Sequence, residues 1–238
     1  MNPLVDLGAT LAANAEDAVA TRARRAIRPL RGIRGVPLAV VARTADTIWK
    51  RGISLPRDAD ALDAAFGTAF EDGLVAIALA AAALPDSPVV ASALGLAWAH
   101  RTDDPTTADA LGSILLGGSV ALAGGVSRLD ALRQGSVWCR RSRWMAAMGR
   151  LPVPLEGPAV AGLRARLGTP NVQWVDAPQR ADVAALLDDA VKATDPPLHK
   201  ALRRILTTWS ATDEEGCRAW AQPRWSQLPP VVRNALTR

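Results

Sequence analysis

The chain has 238 residues, of which 49% are hydrophobic and 21% are charged, and its formal net charge is +5. This length and apolar content suffice for one sizeable hydrophobic core or two small ones, and they exclude a wholly disordered chain. The longest apolar run, from Gly73 to Leu84, has only twelve residues, whereas a membrane-spanning helix needs about twenty. Cys139 and Cys217 are the two cysteines, which excludes a disulfide framework and a zinc site built from cysteines.

The N-terminus gives no sign of a secretory signal. Asp6, Glu16 and Asp17 precede the first arginine, and no basic segment stands before an apolar one. We therefore expect a cytoplasmic protein that does not associate with a membrane. Neither a cofactor nor a metal ion is expected.

Ala-rich segments with apolar residues three and four positions apart dominate the chain, which predicts an all-α fold. The first helix is predicted from Pro3 to Arg28, and a basic connector broken by glycine and proline follows from Leu30 to Pro37. Further helices are predicted over 38–51, 58–71, 73–84, 89–101, 106–116, 127–134, 136–149, 158–167, 178–193, 197–209, 213–221 and 230–237. The residues predicted at or next to helix N-caps are Asp58, Ser87, Ser127 and Ser136.

These helices predict a multi-helix bundle, with an irregular stack of helical repeats as the alternative. A short segment over 171–175 is predicted to be extended, which is too little for a sheet. We expect three parts: a basic helical N-terminal segment over 1–57, an Ala-rich helical bundle over 58–150 and a C-terminal helical bundle over 151–238. The proline-rich stretch over 151–158 marks the boundary between the two helical halves.

Charge is strongly segregated along the chain. The N-terminal basic island, residues 22–51, carries +8, and the second basic island, residues 128–166, carries +6. The stretch between them, 52–127, carries −7. If folding brings the islands together they form a surface that attracts polyanions. The alternative is that the arginines form salt bridges within the chain or to a neighbouring subunit, and the preference for arginine over lysine fits both interpretations.

The segment SVWCRRSRWMAAM, from Ser136 to Met148, combines arginine and tryptophan on one predicted helix. On a helical wheel Arg141 lies within the apolar arc, between Trp138 and Trp144. If that arc packs in the core, Arg141 is a buried charge that needs a partner. If the arc is partly a binding face, arginine suits phosphate contact and tryptophan suits base stacking.

The N-terminal basic island has six arginines in fifteen residues, from Thr21 to Gly35, and no aromatic residue among them. This composition favours contact with a nucleic-acid backbone over base reading, in a segment that becomes ordered on binding; the alternative is a solvated tail. The candidate nucleic-acid-binding residues of both islands are Arg22, Arg24, Arg25, Arg28, Arg31, Arg34, Arg133, Arg140, Arg141, Arg143, Arg164 and Arg166.

No catalytic residue is predicted. Neither His100 nor His199 has a cysteine or a second histidine nearby in the sequence at the spacing that metal ligands show. The chain also has no G-x-S-x-G motif, which marks the nucleophile of many hydrolases. The Gly-rich stretch over 111–127 lacks the strand-to-helix turn and the lysine of a phosphate-binding loop, so its glycines are interpreted as helix ends and a connector. The three C-terminal tryptophans serve either core packing or a protein interface; they are Trp209, Trp220 and Trp225.

The order of three segments resembles the helical small subunits of class 1 CRISPR effector (Cascade-like) complexes. These segments are LVAIALAAAAL at 74–84, SVWCRRSRWMAAM at 136–148 leading into GPAVAGLRARLG at 157–168, and NVQWVDAPQRADVAALLDDAV at 171–191. The resemblance implies a helical bundle that lines a crRNA–protein filament in several copies and catalyses nothing, in antiviral defence. It also implies nucleic-acid contacts by Arg140, Arg141 and Arg143.

The function expected from the sequence is that of a non-enzymatic helical subunit of a nucleoprotein complex. Its partners would be RNA or DNA, bound through the backbone, and other protein subunits that include copies of itself. The alternative is a helical scaffold or adaptor whose arginines dock on acidic protein surfaces. An enzyme whose site is not visible in the sequence is the third hypothesis.

Overall fold

The computed structural model describes residues 3–27, 30–152, 175 and 177–237. In this part of the chain the fold is an all-α multi-helix bundle, as predicted, and it has no strand; an isolated bridge pairs Gly32 with Ala69. The helices are α1 (Leu7–Ala12), α2 (Asp17–Ala26), α3 (Leu38–Lys50), α4 (Leu55–Thr68), α5 (Phe70–Ala82), α6 (Pro88–Arg101), α7 (Pro105–Ala110), α8 (Gly117–Leu122), α9 (Val137–Met145), α10 (Arg180–Leu186), α11 (Pro196–Thr212), α12 (Glu214–Ala221) and α13 (Pro230–Leu236). The predicted helix over 158–167 and most of the segment predicted to be extended lie outside the described residues.

The N-terminal segment differs from the single long helix predicted for it. The chain breaks between α1 and α2 because Glu16 is extended (φ −129°, ψ 122°), and its backbone N–H donates to the Gly35 carbonyl at 2.9 Å. Gly35 has φ +85°, and a Cβ there would lie 2.6 Å from the Cβ of Ala20. The break lets α1 bury Leu7 and Leu11 in the core, while α2 packs only through its edge next to Gly35.

Helix α5 is the centre of the core. All thirteen of its residues are buried, and α3, α4 and the segment that follows α7 pack around it. The buried apolar side chains form one cluster that extends from Leu4 to Val232. This cluster crosses both boundaries of the predicted three-part division, which stays a prediction. No helix in the described ranges is long and apolar enough to cross a membrane.

The Gly-rich stretch continues one helical path instead of ending it. Residues Leu111–Leu116 form a π-helical turn that joins α7 to α8 without a break, and this path is buried as far as Val120. A Cβ on Gly117 would lie 2.8 Å from the Cα of Gly149, and one on Gly112 would collide with the Ser142 carbonyl. These glycines therefore permit close helix contact, and the interpretation of them as helix ends was wrong. Gly124 and Gly125, with φ of +111° and +81°, do form the turn after α8.

Two of the four residues predicted at or next to N-caps occupy the N-cap position itself. The Ser136 hydroxyl accepts a hydrogen bond from the Cys139 N–H at 3.2 Å and caps α9, and Ser87 precedes α6 without a side-chain bond. Helix α4 begins three residues earlier than predicted, so Asp58 lies in its first turn, where it accepts from the Ser54 N–H at 2.8 Å. Ser127 lies inside a 3₁₀ segment, Val126–Leu132.

Candidate nucleic-acid-binding residues

Arg31 of the connector is held inside the protein. Its Nη1 donates to the Phe66 carbonyl at 2.8 Å, and its Nη2 donates to Thr107 Oγ1 at 3.0 Å and Asp104 Oδ2 at 3.3 Å. The guanidinium also stands 4.7 Å from the centre of the Phe66 ring. Burial raises the pKa of Asp104, while hydrogen bonds from Thr107 and the charge of Arg31 oppose that rise. Arg31 is thus part of the packing between the connector, α4 and α7.

Hydrogen bonds to two carboxylates hold the connector against the first turn of α5. Asp72 accepts two hydrogen bonds from Arg34, from Nε at 2.6 Å and from Nη2 at 3.1 Å, and the pKa of Arg34 is raised chiefly by this bond. Glu71, buried beside it, accepts from the backbone N–H groups of Arg34, Gly35 and Val36 at 3.0, 2.7 and 3.1 Å. This part of the island is neither a solvated tail nor a free loop, because two carboxylates at a helix N-terminus hold it.

In the second basic island, Arg141 is 7% exposed and makes a bidentate pair with Asp109. Its Nε and Nη2 lie 2.7 and 2.9 Å from the two carboxylate oxygens, and its Nη1 donates to the Pro197 carbonyl. Asp109 also accepts from Arg204 Nη1 at 3.2 Å. The apolar arc of α9 therefore packs in the core, and the charge within it has a partner.

Arg143 is fully buried. Its Nη1 donates to the Leu186 carbonyl at 2.6 Å and to Asp189 Oδ1 at 3.2 Å, and its Nη2 donates to the Ala185 carbonyl at 3.0 Å. The same Asp189 oxygen accepts from Trp144 Nε1 at 2.9 Å. Burial lowers the pKa of Arg143 and the charge of Asp189 acts against that shift. The guanidinium thus satisfies backbone carbonyls at the end of α10.

Three further arginines extend this pattern. Arg133 bonds to Asp188 at 2.6 Å and Asp130 at 2.8 Å, Arg140 to Asp195 at 2.8 Å, and Arg150 to Asp182 at 2.8 Å. We call the set the arginine clamp; its members are Arg133, Arg140, Arg141, Arg143 and Arg150. Each of them bonds to a carboxylate or carbonyl between residues 182 and 197, so the clamp joins α9 and its neighbours to the C-terminal helices.

The other predicted site residues divide into two groups. Arg22, Arg24 and Arg25 lie exposed on α2, of which only Ala20 is buried. Arg24 donates to the Ile33 carbonyl at 3.4 Å, and none of the three has a carboxylate partner among the described residues. The second group lies outside the described residues and consists of Arg28, Arg164 and Arg166.

A cleft between α1 and α3 adds two arginines that were counted in the charge of the N-terminal basic island but were not selected as site residues. Arg43 and Arg51 line this cleft of about 280 Å³ together with polar groups that include Thr10 and Asn14. Neither arginine is ion-paired in the described part of the chain. Arg43 lies on α3 and Arg51 directly follows its last residue, and their spacing of eight residues, which keeps both on one side of a helix, was the signal available in the sequence. Asp6 lines the cleft as well.

The two histidines contact neighbouring groups of the chain. His100 is exposed, with its Nδ1 3.6 Å from Cys139 Sγ, and His199 Nε2 lies 2.8 Å from the Ala193 carbonyl. Across the described ranges, no three His, Cys, Asp or Glu side chains stand close enough to hold a metal ion. Trp209 and Trp220 pack in the core, whereas Trp225 is 37% exposed.

The chain matches no protein-family model, no curated protein and no solved structure. The geometry therefore defines the candidate site without help from relatives. We call its members the free N-terminal arginines: they are exposed, have no carboxylate partner in the described part of the chain, and lie on α2 and at the cleft between α1 and α3. They are Arg22, Arg24, Arg25, Arg43 and Arg51.

Proposed function

We propose that this protein is a non-catalytic helical subunit that binds the phosphate backbone of a nucleic acid through the free N-terminal arginines. The observation that carries the proposal is the difference between two sets of arginines. Those at positions 31, 34, 133, 140, 141 and 143 have carboxylate partners inside the chain. The free N-terminal arginines have no carboxylate partner among the described residues, which leaves them available to the anions of a partner.

Helix α2 has the form that such a contact needs. It is buried only at Ala20, so most of its circumference is open to a ligand. Arg22 and Arg25 stand three residues apart on it, and a separate cleft between α1 and α3 carries Arg43 and Arg51. No aromatic residue lines either feature, which favours backbone contact without base specificity.

Membership of a CRISPR effector complex stays a prediction from the resemblance. The three arginines that the resemblance implies as contacts, Arg140, Arg141 and Arg143, belong to the arginine clamp. The interface proposed here therefore lies elsewhere, on α2 and the cleft between α1 and α3.

The test is the salt dependence of binding to fluorescent oligonucleotides, measured by anisotropy with single-stranded RNA, single-stranded DNA and duplex DNA. We expect the affinity to fall as salt rises, with a log–log slope of about 0.7 to 0.9 per neutralised phosphate. The variant R22A/R25A/R43A/R51A should lower that slope by about one per arginine in contact. The matched control is R128A/K192A/K200A/R203A, which also removes four exposed cations.

Two outcomes would contradict the proposal. One is an absence of binding at low salt to all three oligonucleotides. The other is equal loss of binding in the control and in the fourfold variant, which would mean that net charge alone is responsible. Binding to an acidic polypeptide such as polyglutamate, with no binding to nucleic acid, would instead support the adaptor hypothesis.

A further inference from the structure

A pocket lies at the C-terminal end of the protein, remote in the chain from the free N-terminal arginines. It is a half-open pocket lined by the end of α11, by α12, by the 3₁₀ segment Gln222–Gln227 and by α13, and its volume is about 340 Å³. Its floor is apolar and consists of Cys217, Ala221 and Leu236. Small side chains at Cys217 and Ala221, one turn apart on α12, leave the space that the pocket occupies.

Trp225 provides a side of this pocket. Its neighbours Trp209 and Trp220 pack together in the core, with ring centres 6.4 Å apart, and are 1% and 4% exposed. Trp225 is 37% exposed. The chain therefore keeps a large aromatic surface open beside an apolar floor, and such a surface suits stacking of a planar ring.

The polar groups of the pocket are neutral as a set. Glu214 and Arg218 at its rim form a salt bridge with each other. Because each charge is already neutralised by the other, a ligand needs no charge of its own to bind beside them. The side chains of Ser210 and Gln222 line the pocket and have no hydrogen-bond partner among the described residues. Together they can donate and accept hydrogen bonds, which an uncharged heterocycle with both kinds of group would satisfy.

The thiol in the floor does not make this a reactive site. Cys217 Sγ donates to the Leu206 carbonyl at 3.5 Å, and burial raises its pKa to about 11. At neutral pH the group is therefore a protonated thiol, and the thiolate is the form that attacks electrophiles. A ligand in this pocket is held without a covalent bond.

We propose that this pocket binds a planar, uncharged nitrogen heterocycle of the nucleobase or nucleoside class, stacked on Trp225 above the floor formed by Cys217 and Ala221. Ser210 and Gln222 bond to its ring edge. This inference is independent of the proposed function, because a nucleoside carries no phosphate.

The test is titration of the full chain with adenosine, followed by calorimetry and by tryptophan fluorescence. Two variants address the pocket: Ala221→Leu fills it, and Trp225→Leu removes the stacking surface at a position that is 37% exposed. Circular dichroism checks that each variant is folded. Stacking of one base is worth about 1–3 kcal/mol, so we expect each variant to weaken binding about tenfold or more. The matched control is Val231→Ala, an exposed residue of α13 that does not line the pocket.

The inference is overturned if adenosine fails to bind at millimolar concentration, or if W225L binds it as the unchanged protein does. Equal binding of cyclohexanol and adenosine would also overturn it, since that would show an apolar pocket without preference for aromatic rings. The variant R22A/R25A/R43A/R51A should bind adenosine normally, which separates this result from the fate of the proposed function.

Discussion

Arg141 on α9 and Asp109 on α7 form a bidentate ion pair inside the protein, at 2.7 and 2.9 Å. Side-chain exposures of 8% and 11% show that water screens this pair little. The pair explains how a guanidinium can lie within the apolar arc of α9, between two tryptophans. It also places the apolar arc of the arginine-rich helix in the interior.

Removal of the acid from this pair should destabilise the protein severely. Asp109→Ala leaves Arg141 buried without its carboxylate, and we expect a loss of about 3–5 kcal/mol in the free energy of unfolding, measured with urea. Arg141→Met removes the charge and keeps an apolar chain, so it should cost less than Asp109→Ala. The control is Asp46→Ala, which breaks an exposed pair with Lys50 and should cost at most about 1 kcal/mol. Equal stability of D109A and D46A would refute this account.

The positions of most helices follow from local features of the sequence, and the ion pairs do not. Helix α6 was predicted over 89–101 and runs over Pro88–Arg101, because a serine and a proline begin it and apolar spacing continues it. The partner of Arg141 lies 32 residues away in the chain, and no spacing rule connects them. The wheel correctly showed that Arg141 needs a partner if buried, but only the tertiary fold decides between a carboxylate and a phosphate.

The connector offers a second prediction, at Glu71. Its carboxylate accepts three backbone N–H groups, so Glu71→Ala leaves them without partners in a buried place. We expect a loss of roughly 3 kcal/mol and faster hydrogen exchange at Arg34, Gly35 and Val36 than in the unchanged protein. Glu215→Ala, at an exposed carboxylate, serves as the control. Unchanged hydrogen exchange at these three amides would show that the hydrogen bonds to Glu71 do not hold the connector in place.

A third prediction concerns the glycine contact between the π-helical turn and α9. Gly112→Ala forces a methyl group against the Ser142 carbonyl, and we expect destabilisation of about 1–3 kcal/mol. Gly32→Ala is the matched control, since a Cβ there meets no atom within 4 Å. Thermal unfolding of both variants followed by circular dichroism measures the difference. A lower melting temperature in G32A than in G112A would contradict the close-contact argument.

Acid should destabilise the fold partly through Asp213. The pKa of this carboxyl is lowered, mainly by its hydrogen bonds with Arg180 and despite an opposing effect of burial. A carboxyl with a lowered folded pKa stabilises the native state above its unfolded pKa of about 4, and that contribution is lost as pH falls through the folded pKa. We therefore expect Arg180→Gln to lose less stability than the unchanged protein between pH 5 and about pH 3, measured by urea unfolding at each pH. Parallel curves for the two proteins would exclude this pair as a source of acid sensitivity.

The last prediction separates the two groups of arginines. Arg140 is partly exposed but is paired with Asp195, so Arg140→Ala should leave oligonucleotide affinity and its salt slope unchanged. Arg22→Ala, which removes one free N-terminal arginine, should reduce both. Anisotropy titrations of the two single variants at one salt concentration and across a salt series provide the comparison. If Arg140→Ala weakened binding more than Arg22→Ala did, the interface would lie on α9, as the sequence resemblance implies.

The arginine clamp makes the choice of denaturant significant for this protein. Guanidinium chloride is a salt whose cation carries the head group of arginine, so at high concentration it screens the partly exposed pairs of the clamp, such as Arg133 with Asp188 and Arg140 with Asp195. Urea is uncharged and offers the carboxylates no ionic replacement. Both reagents solvate apolar and peptide groups, and guanidinium chloride in addition screens the ionic contacts of the clamp, so the two denaturants should differ in how much of the clamp's contribution they remove.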